Sequence, residues 1–170
     1  GSRGYPGGRT SKICQANPDV WEQWLSDVEE SLEKDPKTTV FGANPNDGWT
    51  YGYCTCDVCK SWDHPDAPTI TYERNGRQRS YVGMADRQIT FANILARKLR
   101  ERFPDRPELL VSAIAYGVSR PPPIAARPDD NVLVAGVWSF HTIPDERQRD
   151  WLVEWGEISP YLVWRPNLTS

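Results

Sequence analysis

The sequence predicts a mixed α/β fold: a partial (β/α)8 TIM-type barrel, with about four mainly parallel strands, flanking helices and a β-hairpin excursion near residues 69–82. Short apolar runs alternate with amphipathic segments of 3.6-residue period, the pattern of a parallel sheet with crossover helices. Asn75-Gly76 sits between two β-prone runs, and both residues accept the positive φ of a tight hairpin turn. No G-x-G-x-x-G and no phosphate-binding loop follows any strand, which argues against the rival open, doubly wound sheet.

The elements follow in order. Asn17 is a good N-cap and Pro18 suits the first helical position. Val20, Trp21, Trp24, Leu25, Val28 and Leu32 then share one face, and Asp35-Pro36 ends that helix. The β-branched stretch 38–43 reads as a buried strand, and Asn44-Pro45-Asn46-Asp47-Gly48 as a turn. Residues 49–60 read as a cysteine-bearing loop. The hairpin follows, with His64 in the same excursion expected to be solvated. A second helix spans about Ala85 to Arg102, burying Phe91, Ala92, Ile94, Leu95 and Leu99. Residues 108–116 are nearly all apolar, as in a strand covered on both faces. The Pro-rich stretch 119–123 excludes helix there, and 131–137 is the next buried strand. A third helix from Asp145 to Ser159 turns Trp151, Leu152, Trp155 and Ile158 inward, and 160–164 is the last strand.

Composition excludes some functions. The net charge of −3 gives no reason to expect nucleic acid or an anionic membrane as partner. No stretch approaches the roughly 20 apolar residues of a membrane span, and the first residues lack a signal-peptide core. Four strands make about half of an eight-stranded barrel, which typically needs roughly 250 residues. The expectation is one segment, 1–170, of a larger barrel domain, with 1–12 a flexible lead-in, 61–83 a hairpin insertion and the remainder of the barrel missing from this chain. Such a segment alone is expected to aggregate or oligomerise through its open edges.

In barrels of this kind the working face is the carboxyl end of the strands. The residues that follow the predicted strands include Asn44, Asn46, Asp47, Trp49, Tyr116, Arg120, Trp138, His141, Asp145 and Trp164. Aromatic faces stack on sugar rings while amides and carboxylates bond hydroxyls, so the mixture suits a glycan cleft. The competing reading is that these aromatics only cap the core. Asp47 is the best-placed catalytic acid: shielding by Trp49 would raise its pKa and fit it for general acid catalysis. Pro-Asn-Asp-Gly is equally good turn chemistry without a function. Hydrolysis by two carboxyl groups needs a second acid; Asp145 is a weak candidate, since it also suits an N-cap. Asn46, Trp49, Tyr116, Trp138, His141 and Trp164 are the candidate substrate-binding residues. The alternative is a non-catalytic glycan-binding or metal-braced protein-interaction domain.

Cys54-Thr55-Cys56-Asp57-Val58-Cys59, with Cys14 far upstream, is the sharpest local pattern. In the barrel arrangement Cys14 precedes a helix and Cys54–Cys59 follow the next strand, so all four sulfurs can converge in adjacent loops. Four thiolates suit a closed structural zinc site; two disulfides or free thiols are the competing readings.

Ile13-Cys14, Asn17-Pro18, Asn44-Pro45-Asn46-Asp47-Gly48 and Cys54-x-Cys56-x-x-Cys59 resemble the bacterial family called domain of unknown function 4838. Phe91-Ala92-Asn93, Phe103-Pro104-Asp105, Ala115-Tyr116, Pro121–Pro123, Asn131-Val132 and Phe140-His141 continue the resemblance in order, over roughly 12–168. That family is similar to glycoside hydrolase barrels such as α-glucuronidases and hexosaminidases. The resemblance implies a carbohydrate-active barrel, usually exported, hence extracellular or periplasmic. It places Asp47 where related barrels often carry a catalytic acid, with Tyr116, His141 and Trp164 lining the cleft. Two features depart from it: the excursion at 61–83 is long, and Trp164-Arg165 stands where Trp-Asp is expected, removing a possible cleft carboxylate.

Overall fold

The computed structural model describes residues 11–45, 52–74, 76–137 and 145–165. Helix α1 (Pro18–Lys34) begins as its sequence dictates: the Asn17 side chain accepts the Asp19 amide at 3.1 Å, and Pro18 occupies the first turn. Leu25, Val28 and Leu32 form its buried stripe. Asn17→Ala removes the cap and is expected to cost about 1 kcal/mol, measured as a lowered denaturation midpoint with an unchanged m-value.

Four strands, β1 (Val40–Gly42), β4 (Leu110–Ala115), β5 (Val132–Gly136) and β6 (Tyr161–Trp164), form one sheet in the order β1-β4-β5-β6. Every pairing is parallel. Strands β2 (Thr69–Arg74) and β3 (Arg77–Val82) form a separate antiparallel hairpin, turned at Gly76 with φ +67°. Helices α3 (Ala85–Arg102) and α4 (Asp145–Ile158) precede β4 and β6. A short helix α2 (Asp57–Ser61) lies in what the sequence suggests is loop, and a 3-10 turn occupies Gly117–Ser119.

The faces of the sheet distinguish the two architectures. Val111, Ala113 and Ala115 of β4 and Val132 and Val134 of β5 join one core with Val28, Leu32, Ile89, Leu95, Leu99 and Trp155, which come from α1, α3 and α4. The opposite face is half-open: Leu110, Ser112 and Ile114 are partly buried, and Tyr161 and Val163 are exposed. Thus β4 is not covered equally on both sides, as its apolar run suggests. A doubly wound sheet carries helices on both faces, whereas a barrel wall carries them on one. The arrangement is a mixed α/β fold compatible with a barrel arc.

The β4–β5 crossover contains no helix after the 3-10 turn. It runs as an extended strap along α3, held by one helical face. Asp86, 6% exposed, accepts the amides of Ile124, Ala125 and Ala126 at 2.8–2.9 Å. Asn93 donates to the Arg127 carbonyl and accepts the Asp129 amide. Arg97 pairs with Asp129 and Arg100 with Asp130. Positions 86, 93, 97 and 100 fall at helical spacing on the same side. Polar residues are therefore buried on α3 where apolar periodicity alone points only to Phe91, Ala92, Ile94, Leu95 and Leu99, of which Ile94 is only partly buried. Trp151 and Trp155 of α4 are buried as expected, but Leu152 is exposed, because α4 packs against the sheet through a narrow stripe.

Candidate metal centre and the carboxyl edge of the sheet

Cys14 lies in the turn before α1, where its carbonyl accepts the Asn17 amide. Cys54 and Cys56 lie in the loop after β1, and Cys59 is buried in α2. The four Sγ atoms all lie within 4.8 Å of one another. Cys14 Sγ is 3.8 Å from both Cys56 Sγ and Cys59 Sγ, and none of the four cysteines is joined in a disulfide. The four can hold a metal ion.

Backbone amides are aimed at the sulfurs. Cys56 N–H donates to Cys54 Sγ at 3.5 Å and Cys59 N–H donates to Cys56 Sγ at 3.4 Å. Such donors stabilise negative charge on sulfur. Burial raises the Cys14 and Cys59 thiols, while the Ala16 amide works in the opposite direction at each.

A second layer fixes the loops. Buried Arg87, near the start of α3, donates to the Cys54 carbonyl at 2.8 Å and forks onto the Asp63 carboxylate. Its neighbour Gln88 donates to the Ala43 carbonyl at 2.8 Å and accepts from Gln15 Nε2 at 3.1 Å. Lys12 is already buried, and its amide donates to the Gly52 carbonyl, so the packed body begins by residue 12. Burial pushes the Tyr53 phenol up to about 12, with Arg87 opposing it. The start of α3 thus ties together the segments before α1, after β1 and after α2.

Tyr116 is the first residue beyond β4 and is 43% exposed; Trp164 ends β6 and is 55% exposed. Both lie at the carboxyl edge. Register pairs Trp164 with Gly136 and Gly136 with Ala115, so Trp164 takes the helix-facing side of the sheet. Tyr116 follows Ala115 and takes the opposite side by strand alternation. Asn44 stitches β1 to β4, its Oδ1 accepting the Ile114 amide at 2.7 Å. Asn46, Asp47, Trp49, Trp138 and His141 lie outside the described residues, as does the Asp145 side chain. His64, expected to be solvated, is partly buried, and its Nδ1 accepts the Asp66 amide. Arg87, Gln88 and Asp63 carry no sequence signal for their roles, since a charged pair in an excursion and a helix reads as solvated surface.

A family model described as domain of unknown function (DUF4838) matches residues 1–163. The chain belongs to this family. No curated protein and no solved structure matches it. Within this DUF4838 chain, the cysteine set expected to mark the family is the one whose sulfurs converge, while residues 46–48 of the expected turn lie outside the described residues. No helix among the described residues is long and apolar enough to cross a membrane.

Proposed function

We propose that the chain is a carbohydrate-handling segment of a (β/α) barrel whose loops at the carboxyl edge are braced by a structural zinc ion on Cys14, Cys54, Cys56 and Cys59. The observation that supports it most is the convergence of the four sulfurs beside the carboxyl tip of β1, on a sheet with helices on one face. A tetrahedron with Zn–S bonds of about 2.3 Å has an edge of about 3.8 Å, the spacing of the two closest sulfur contacts. Four protein ligands leave no position for water, so the ion would hold loops and not act on substrate. The sequence between β1 and Cys54 carries Asn46, Asp47 and Trp49, with Asp47 as candidate general acid and Tyr116 as an exposed aromatic platform at the tip of β4.

The test is release of reducing sugar from a glycan panel by the wild-type protein and by Asp47→Asn. Turnover is expected only in the wild type, with a loss of at least 100-fold in the variant. Equal turnover removes Asp47 from the mechanism. Saturable glycan binding without sugar release by the wild type would make the domain a binding module.

A further inference from the structure

Arg120 follows the 3-10 turn after β4 and is only 8% exposed. Its Nε is buried without a hydrogen-bond partner, and no described carboxylate pairs with its guanidinium. A buried, unpaired cation is costly unless something supplies the missing acceptor. The residue is held in place: its carbonyl accepts Trp155 Nε1 at 2.9 Å, and its guanidinium carbon lies 5.7 Å from the centre of the Tyr116 ring. Arg147, in the first turn of α4, also has no carboxylate partner among the described residues and lies over Trp151 at 5.0 Å.

Two tyrosines belong to the hairpin, one of them within electrostatic reach of both cations. Tyr72 and Tyr81 project from one face of it, with ring centres 5.9 Å apart. Burial raises the Tyr81 phenol; Arg120 and Arg147 oppose the rise, while Tyr72 and Tyr116 add to it. One phenol thus senses two cations and two further tyrosines drawn from β2, the turn after β4 and α4. Arg120 and Tyr116 meet at the carboxyl edge, and no acid is among the groups that act on the Tyr81 phenol.

We infer that Arg120, supported by Arg147 and the Tyr81 hydroxyl, binds the carboxylate of an acidic sugar whose ring lies against Tyr116. This rests on the carbohydrate reading above. A planar guanidinium matches a carboxylate as a two-pronged donor, and a Tyr ring that is 43% exposed leaves a surface for a pyranose. The hairpin excursion then has a purpose: it carries Tyr81 to the site.

The test is calorimetric titration of the full chain with D-glucuronate, D-glucose and acetate at low ionic strength. Glucuronate is expected to bind at least tenfold more tightly than glucose or acetate. Arg120→Gln is expected to reduce the preference over glucose to twofold or less. Arg147 is exposed, so Arg147→Gln preserves the fold and is expected to weaken glucuronate several-fold while leaving glucose unchanged. Equal affinity for glucose and glucuronate in the wild type overturns the inference and leaves the carbohydrate reading standing. Binding of acetate as tight as that of glucuronate, with no binding of glucose, overturns the carbohydrate reading itself.

Discussion

Cys59→Ser is expected to abolish metal binding and to lower the melting temperature by on the order of 10 °C. A metal present at a thousandfold its dissociation constant stabilises the folded state by about 4 kcal/mol, and each kcal/mol shifts a domain of this size by about 2–4 °C. The check is elemental analysis of the purified chain, expected to give one zinc per chain in the wild type and none in the variant, alongside melts with and without chelator. Cys59 is fully buried, so its replacement also disturbs packing. Cys56 separates the two effects. It is exposed and serves as N-cap of α2, accepting the Cys59 amide. Serine is a better N-cap than cysteine. If the cluster only packs, Cys56→Ser is neutral or stabilising; if it holds zinc, the variant loses metal and chelator no longer changes its melt. Wild-type metal content in both variants would refute the metal site.

The second large effect is expected at Asp86. Asp86→Ala leaves three amides of the strap, those of Ile124, Ala125 and Ala126, without their acceptor. Hydrogen bonds to a charged acceptor contribute about 1.5–3 kcal/mol each, and losses at a shared acceptor are not additive, so the expected cost is about 3–5 kcal/mol. Asp86→Asn is expected to be intermediate. Oδ1 accepts from Ala125 and Ala126 and an amide oxygen can replace it; Oδ2 accepts from Ile124, where an amide NH2 would face another donor. Urea denaturation of the three proteins gives the order. An alanine variant as stable as the wild type would mean the strap amides find water instead.

Much of this architecture is written locally. Helix α3 lies at 85–102 as read from its i, i+3, i+4 apolar spacing, and Asn75-Gly76 marks the hairpin turn because glycine takes the positive φ observed at Gly76. The cysteine cluster was also legible, since helix-before and loop-after positions converge in a parallel β/α arrangement. Strand limits were less so: 38–43 shortens to Val40–Gly42, because a strand end is set by its partner and not by its own residues. Helix α2 is too short to show a period, and its only start signal is a cysteine N-cap. The burial of Asp86, Arg87 and Gln88 depends on segments up to 73 residues away in sequence, so no local pattern reveals it. The same is true of Arg120, whose environment is assembled from the hairpin, the turn after β4 and α4.

The strap between β4 and β5 also sets a rule for how this region tolerates changes in length. A helical crossover satisfies its own amides and absorbs an inserted residue by a small rotation. Here the amides of 124–126 are gathered by Asp86 and that of 129 by Asn93, both on α3. A single residue added between Ile124 and Asp129 puts every later donor out of phase with its acceptor, and with it the start of β5. Variation in length among relatives is thus expected to fall outside this stretch, on the hairpin, whose two strands pair with each other in a sheet separate from the main one.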